Sequence, residues 1–294
     1  MQLFTTAEAA AYLRLKERKI YEMVAAGTVP CTKVTGRWLF PKAELDHWLA
    51  TSVARPPGTT RPEPAPIVGG SHDPLLEWAL RESGSGLATL AVGSEAGLAR
   101  FISGDILAAA IHLHALEEPD ADANLAAMKN RGDMQDAVMI GFCRREQGFL
   151  LAPGNPLKLT SIDDMLSKRA RMAQRPKGAG AQLLLLSLLH RAKTSLDQLN
   201  AVQPICPTGP DIAQAIRAGR ADTGIATRSV ADAAGLDFVS IAWESFDLVL
   251  RQRDYFLPPM QALFSFLRSD DFATRAREMG GFDLSGTGSV RYVN

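Results

Sequence analysis

Residues 67–80 have the sequence IVGGSHDPLLEWAL. A short apolar segment is followed by a Gly-Gly-Ser turn, and a helix-forming segment begins at Asp73. The same order recurs at residues 87–98, where an apolar segment ends at a Gly-Ser turn and a second helical pattern follows. This alternation predicts an α/β layer structure with mostly parallel strands. In such sheets, ligands bind at the carboxyl ends of the strands, where the helices begin.

The clearest domain boundary precedes this α/β segment. Residues 51–66 contain five prolines and few apolar side chains. Such a composition favours an extended, polyproline-type spacer over a packed core. The sequence therefore predicts a multidomain chain with a small domain at residues 1–50, a Pro-rich linker at 51–66 and a large α/β domain at 67–294.

The first fifty residues have the pattern of a small, mostly helical domain. Thr5 and Glu8 have the spacing of a capping box, which predicts a helix over residues 6–13. Apolar residues at helical spacing predict a second helix over residues 16–26. The next segment reads as two short strands around a Thr-Gly turn, and Pro41 is then expected in the first turn of a third helix.

Four pieces of this domain occur in a specific order: TAEAAAYL at 6–13, KIYEMVAAGTVP at 19–30, GRWLFP at 36–41 and LDHWL at 45–49. With them the segment resembles the excisionase-type, MerR-related winged helix-turn-helix. The resemblance implies that the second helix enters the major groove of DNA and that the strand turn forms a wing. Position 16 is usually a small hydroxylated cap in this family and is lysine here. The residues implied to contact DNA are Lys16, Arg18, Lys19, Tyr21, Lys33, Arg37 and Lys42.

The large domain carries a second ordered set of motifs. They are GSHDPLL at 70–76, VGSEAGL at 92–98, RPKGAGAQ at 175–182, AIRAGRADTGIA at 215–226, GLDFV at 235–239 and MGGFD at 279–283. With them the domain resembles a type 2 periplasmic-binding-protein-like domain, specifically the molybdate-binding-related domain found behind such helix-turn-helix segments. The resemblance implies two lobes that close over a ligand, with hinge strands crossing between them near 141–147 and 238–243.

Several of these motifs end a strand and begin a helix, which is where an anion binds. Free N–H groups at a helix N-terminus, together with the positive end of the helix dipole, attract a tetrahedral oxyanion or a carboxylate. A serine hydroxyl adds a donor, although N-capping is its commonest role there. The candidate ligand-binding residues are Ser71, His72, Ser94, Arg175, Lys177, Gly178, Ala179, Gly180, Ala181, Gln182 and Thr208.

One turn departs from the family. Residues 178–182 read Gly-Ala-Gly-Ala-Gln where the family usually has a Gly-Ser-Gly-Thr-Arg-like turn, so two hydroxyls and one guanidinium are missing. Arg175 or Lys177 could replace the positive charge. We expect a small anionic effector, an oxyanion such as molybdate or tungstate, with an organic anion or a molybdenum-containing cofactor as alternatives. No cofactor is required.

The two resemblances together imply a ligand-responsive transcription regulator of operator DNA. One winged domain contacts one half-site, so a homodimer or higher homo-oligomer is expected. Two rivals remain: an excisionase-like architectural DNA-binding protein without a ligand, and a protein of molybdenum-cofactor metabolism whose winged domain binds another protein.

Composition narrows the function classes further. The 294 residues carry 32 basic and 32 acidic side chains, so DNA binding must come from a local basic surface. Three scattered cysteines and no N-terminal signal pattern predict a cytoplasmic protein without a disulfide framework, a zinc site or a membrane partner.

Catalytic motifs are not apparent, so an enzyme is not expected. The sequence contains no P-loop, no dinucleotide glycine pattern and no serine elbow. His112 and His114 hint at a metal pair. Because no third ligand stands near them in sequence, we interpret them as solvated or core histidines.

Overall fold

The computed structural model describes residues 2–34, 36–51, 63–114, 122–129, 134 and 136–293. The chain divides into two compact units, Met1–Pro62 and Glu63–Asn294. Of the expected linker, residues 52–62 lie outside the described residues, as does Thr35 of the expected strand turn.

The N-terminal unit packs three helices against a small antiparallel sheet whose third strand in chain order lies in the middle. Among the described residues, its buried core contains six apolar residues, which come from the three helices, the loop after the second helix and the third strand. In chain order the elements are β1 (Leu3–Phe4), α1 (Thr6–Leu13), α2 (Glu17–Ala25), β2 (Thr32–Val34), β3 (Arg37–Pro41) and α3 (Lys42–Thr51).

Local capping sets the ends of these helices. The Thr5 side chain accepts a hydrogen bond from the N–H of Glu8, and the Glu8 carboxylate accepts one from the N–H of Thr5, so the predicted capping box is present. The expectation for Pro41 is wrong by one residue. Pro41 pairs with Leu3 as the last residue of β3, and α3 begins only at Lys42.

The C-terminal unit alternates strands and helices, as the sequence pattern predicts. Its elements are β4 (Ala65–Gly70), α4 (Pro74–Glu82), β5 (Ala88–Ala91), α5 (Ser94–Ser103), β6 (Ile106–Ile111), α6 (Ala123–Lys129), β7 (Ala137–Leu151), α7 (Ile162–Ser167), β8 (Arg171–Ala173), α8 (Gly180–Arg191), β9 (Asn200–Ala201), α9 (Gly209–Arg217), β10 (Thr223–Thr227), α10 (Arg228–Ala234), β11 (Asp237–Arg251), α11 (Pro258–Phe266), α12 (Asp270–Met279), β12 (Phe282–Asp283) and β13 (Val290–Val293).

One sheet runs through the whole C-terminal unit in the order β5-β4-β6-β11-β7-β10-β8-β9, with β12 and β13 paired to β7. Strands β4, β5 and β6 are parallel to one another, and so are β8, β9 and β10. The centre of the sheet is antiparallel, because the 15-residue strands β7 and β11 pair with each other along their whole length. These two strands connect two groups of parallel strands.

The two groups form separate lobes, each with its own core. Lobe 1 contains β4–β6, α4, α5, α11 and α12, and at its centre Phe142 packs edge to face on Phe246 and Phe272. Lobe 2 contains β8–β10 and α7–α10 around buried residues such as Leu184 and Ile225. The two-lobed α/β prediction is therefore confirmed. No helix in the described part of the chain is long and apolar enough to cross a membrane.

Candidate ligand site and DNA-binding surface

A cavity of about 20 Å³ lies between the lobes at the carboxyl ends of the parallel strands. That volume has room for about one water-sized molecule. The cavity is lined from lobe 1 by Ser71, His72 and His112, from the paired strands by Arg145 and Gln147, and from lobe 2 by Arg175, Gly180, Ala181 and Thr227.

Arg145 of β7 anchors the lobe 1 side of this cavity. Its side chain is 1% exposed and donates to Asp73 at 2.8 Å, to Glu244 at 2.6 Å and to Nδ1 of His112 at 2.6 Å. Burial alone would lower the pKa of Arg145, but Glu244 and Asp73 outweigh burial and raise it. The guanidinium is thus fully engaged by protein groups.

The helix end after Ser71 already holds an anion, namely Asp73. One carboxylate oxygen of Asp73 accepts hydrogen bonds from the N–H groups of Leu75 and Leu76 and caps α4. The N–H of Ser71 is used as well, because it donates to the carbonyl of Ala110. The expected backbone anion site at this turn is therefore corrected: Ser71 borders the cavity, but α4 has no free N-terminus to offer.

Ser94 also differs from the prediction. Its hydroxyl donates to the carbonyl of His112 at 2.9 Å and accepts from the N–H of His112 at 3.1 Å. The residue is fully buried. Ser94 fixes the end of β6 and does not line the cavity, because both of its hydrogen-bonding functions are used within lobe 1.

Lobe 2 presents an uncapped helix to the cavity. Ala179 is the N-cap of α8 and offers no side-chain hydrogen bond, and Gly180 and Ala181 line the cavity directly. Nη2 of Arg175 donates to the carbonyl of Pro207 at 2.7 Å, while its Nε is buried with no partner among the described residues. Burial and, to a smaller extent, the charge of Arg145 together lower the pKa of Arg175 to about 10.

The remaining predicted residues of lobe 2 surround this helix end without reaching the cavity. Lys177 is exposed, and the Gln182 side chain accepts the N–H of Arg175 at 3.0 Å. Thr208 caps α9 in a capping box with Asp211. Of the two cations proposed to replace the missing guanidinium, only Arg175 lines the cavity.

The lobes meet around this helix end. The N–H of Glu95 in lobe 1 donates to the carbonyl of Gly178 in lobe 2 at 3.3 Å. A Cβ on Gly180 would overlap the imidazole of His112, so only glycine permits this approach. The structure therefore represents the lobes in contact, with the small cavity between them.

His112 contributes a donor to the cavity. Burial lowers its pKa well below the usual value, against the attraction of Glu244, so the ring is neutral. A guanidinium can only donate, so Nδ1 must accept from Arg145 and the ring proton must lie on Nε2. Nε2 is buried and lies 3.6 Å from Oε1 of Glu244, just beyond hydrogen-bond distance, and it has no hydrogen-bond partner among the described residues.

Glu244 lies beside His112 and His114 in the folded protein, although it is distant from them in sequence. It is the third possible metal ligand of this cluster. The donor atoms of the three side chains lie within 4.8 Å of one another, and Nε2 of His114 is 2.8 Å from Glu244. The proton on Nε2 of His112 and the adjacent Arg145 charge both oppose a cation. The arrangement is that of a hydrogen-bonded ion cluster.

Sequence reasoning missed His112, Arg145 and Gln147 as cavity residues. A signal for two of them exists, because Arg-Arg-Glu-Gln at 144–147 interrupts an otherwise apolar strand. Polar side chains buried in the middle of a strand require partners, and here these partners come from lobe 1 and β11.

The predicted DNA contacts lie on α2 and on the β2–β3 hairpin of the N-terminal unit. The Arg18 and Lys19 side chains are 92% and 58% exposed, and both lie 3.4 Å from Glu22. Lys16 is the N-cap of α2 and makes no side-chain capping bond, so α2 begins at Glu17. Tyr21 is half exposed, and Lys33 and Arg37 are exposed.

Lys42 is placed differently from the other predicted cations. Its Nζ lies 2.7 Å from the Asp46 carboxylate and 5.2 Å from the centre of the Tyr12 ring. A lysine held by an ion pair and an aromatic ring stabilises the start of α3, and it is the least available of the predicted DNA contacts.

Comparison with known families agrees with both units. Residues 77–268 match the PBP superfamily domain, and residues 3–52 match a helix-turn-helix domain. The chain belongs to the PBP superfamily. Its PBP domain is fused to an N-terminal helix-turn-helix domain, which confirms the predicted combination of domains.

Three similar proteins extend this comparison. The uncharacterized protein YvgK of Bacillus subtilis (strain 168) is 22% identical over 305 residues, covering 98% of this chain and 97% of YvgK. A Clostridium perfringens protein solved with bound phosphate has a TM-score of 0.54 at 12% identity, covering 74% of this chain and 98% of that one. The sulfate-binding protein SubI of Mycobacterium tuberculosis has a TM-score of 0.51 at 15% identity, covering 74% and 84%. At these identities the structures share the fold of the PBP domain.

The buried, neutral His112 predicts a pH dependence of stability. Its usual pKa is 6.5. Below that pH the unfolded chain takes up a proton that folded His112 does not, so the free energy of unfolding falls as pH falls, by about 1.4 kcal/mol per pH unit for one such group. Urea unfolding of the wild type and of His112→Gln at several pH values gives the slope of the free energy of unfolding against pH. We expect this slope to be smaller in His112→Gln by the equivalent of one proton.

The exposed His190, at the end of α8, provides the matched control, since His190→Gln should leave the slope unchanged. Identical slopes for the wild type and His112→Gln would contradict the assignment of a neutral buried ring.

Proposed function

We propose that the chain is a DNA-binding transcription regulator whose PBP domain responds to a small anion. The observation that carries the proposal is the half-buried Arg175 guanidinium, whose buried Nε has no partner among the described residues, beside the uncapped N-terminus of α8. A second cavity donor, Nε2 of His112, faces the same helix end.

An anion would complete this arrangement electrostatically. Asp211 is near enough to raise the pKa of Arg175, but no carboxylate lies within ion-pair distance of it among the described residues, and a partly buried charge without a counter-ion is costly. The free N–H groups of a 12-residue helix carry partial positive charge at the same place. Arg145 is neutralised by Asp73 and Glu244. The Arg175 guanidinium is therefore the main positive charge facing a ligand in the cavity.

The size of the cavity favours a small ligand. A space of about 20 Å³ is smaller than any of these anions, so the lobes must separate to admit a ligand, least for a small anion and most for a molybdenum-containing cofactor. Among small anions, the sequence resemblance favours molybdate and tungstate, and a small organic anion is the alternative. The phosphate bound to the Clostridium perfringens structure and the sulfate named for SubI support the anion class.

DNA binding is proposed for the exposed face of α2 and the hairpin. Residues 1–51 contain seven Lys or Arg and five Asp or Glu, so this domain is basic within a neutral chain. We propose that the chain binds operator DNA as a dimer and that the anion changes the populations of two conformations with different operator affinity. Such coupling requires the anion to bind the two conformations unequally.

The anion proposal predicts a ligand-dependent rise in thermal midpoint. Purified protein should be heated with millimolar molybdate, tungstate, sulfate, phosphate and small carboxylates. A ligand at 100 times its Kd adds about 2.7 kcal/mol to the free energy of unfolding, which is readily visible. We expect Arg175→Met to reduce the affinity for the best anion at least tenfold, because it removes the unpaired charge.

Lys177→Met is the matched control, since Lys177 is an exposed cation two residues away that does not line the cavity. It should retain the full shift. If no anion raises the midpoint of the wild type, or if Arg175→Met responds like the wild type, the anion-binding proposal is rejected.

The DNA proposal predicts a charge-dependent loss of affinity. Arg18 is almost fully exposed and its pair with Glu22 is a weak surface interaction. Arg18→Ala should weaken binding to DNA from upstream of the chain's own gene by about 1–3 kcal/mol if it contacts a base, or lower the salt slope by about 1 if it contacts phosphate.

Fluorescence anisotropy at several salt concentrations measures both quantities. Arg268→Ala removes an exposed arginine from the PBP domain and should change neither of them. Equal losses in Arg18→Ala and Arg268→Ala would indicate non-specific attraction and would contradict the assignment of α2.

A further inference from the structure

We infer that the anion bound between the lobes carries an O–H group, and that Gln147 is the residue that selects for it. The inference rests on the proposed function and names the ligand class of that site. The class is a small anion that both accepts and donates hydrogen bonds, such as a monohydrogen oxyanion or a small hydroxycarboxylate.

The orientation of the Gln147 amide is fixed by its neighbour. Gln147 is 2% exposed, and one end of its amide lies 2.9 Å from Oε1 of Glu244. Burial alone would raise the pKa of Glu244, but the adjacent Arg145 guanidinium and the hydrogen bond with His114 hold it well below the usual range, so this carboxylate only accepts. The amide end that faces it must therefore be the NH₂ group.

The other end of the amide is then an acceptor without a donor. Oε1 of Gln147 is buried, and no described residue donates to it. Gln147 lines the same cavity as His112 and Arg175. A buried acceptor costs free energy until a donor reaches it, so a ligand that brings an O–H group to this point is favoured.

The unpartnered groups of the cavity together describe one ligand. Nε2 of His112 and Nε of Arg175 are donors, and Oε1 of Gln147 is the acceptor among them. Sulfate, molybdate and tungstate offer only acceptor oxygens near neutral pH, and each would leave Gln147 unpaired. Hydrogen phosphate, or an anion with a hydroxyl beside its carboxylate, satisfies both kinds of group. The structure therefore ranks these ligands above the fully deprotonated oxyanions.

Two matched ligand pairs test the inference by isothermal titration near neutral pH. Phosphate and sulfate have the same shape and differ in the proton, and lactate and propionate differ in one hydroxyl. We expect the O–H-bearing member of at least one pair to bind the full-length protein at least tenfold more tightly, since a site that hydrogen-bonds a ligand O–H rejects the analogue without it. The pair that shows the preference distinguishes an oxyanion from a hydroxycarboxylate.

Gln147→Met removes the acceptor at similar side-chain length and should abolish that preference. Thr223→Val is the control, because Thr223 also buries an unpartnered hydroxyl in the sheet but does not line the cavity. It should keep the wild-type ratio.

If sulfate binds as tightly as phosphate, and propionate as tightly as lactate, the inference is overturned. The proposed anion sensing is then unaffected. A preference that survives in Gln147→Met would overturn the role of Gln147. If none of these four anions binds, and neither molybdate nor tungstate binds, the proposed function itself is rejected. The Kd ratios of the two ligand pairs, measured on the wild type, identify the ligand class even if a variant does not fold.

Discussion

The buried guanidinium of Arg145 is the interaction on which the ligand site depends. It joins the cap of α4 through Asp73, strand β11 through Glu244 and the end of β6 through His112, and it lies 4.1 Å from the Phe246 ring. Removing one partner from such a buried cluster typically costs about 3–5 kcal/mol, because a charge is left uncompensated. The cluster also determines what a ligand meets: it neutralises the lobe 1 charges, places the His112 proton on Nε2 and orients the Gln147 amide through Glu244.

The ligand site is consequently asymmetric. Lobe 1 has already supplied its own anion to the α4 N-terminus in the form of Asp73, whereas lobe 2 leaves the α8 N-terminus and Arg175 uncompensated. A ligand that bridges the lobes therefore gains most of its electrostatic attraction from lobe 2 and its hydrogen-bond selectivity from His112 and Gln147. In the function proposed here, this division gives an anion a physical means of favouring lobe contact over lobe separation, and a ligand shifts such an equilibrium only if it binds the two states unequally.

Local sequence signals predicted much of the fold. The Thr5–Glu8 capping box gave α1 its observed bounds, and the strand-turn-helix pattern located β4, β5 and the helices that follow them. The site was less predictable, because its contacts are distant in sequence: Arg145 lies 72 residues from Asp73 and 99 from Glu244. Ser94 has the sequence position of a ligand donor, but β6 brings the main chain of His112 to its hydroxyl. The N-terminus of α8 and Arg175 were found because that motif is contiguous.

The central claim is that an anion between the lobes changes operator affinity. The most direct measurement is an anisotropy titration of the full-length protein with DNA from upstream of its own gene, with and without a saturating amount of the anion that most raises its thermal midpoint. We expect the Kd for DNA to change at least about fivefold, and Arg175→Met to abolish the change at the same anion concentration. An unchanged Kd with the anion demonstrably bound would contradict the account and would indicate an architectural DNA-binding protein whose PBP domain does not regulate it.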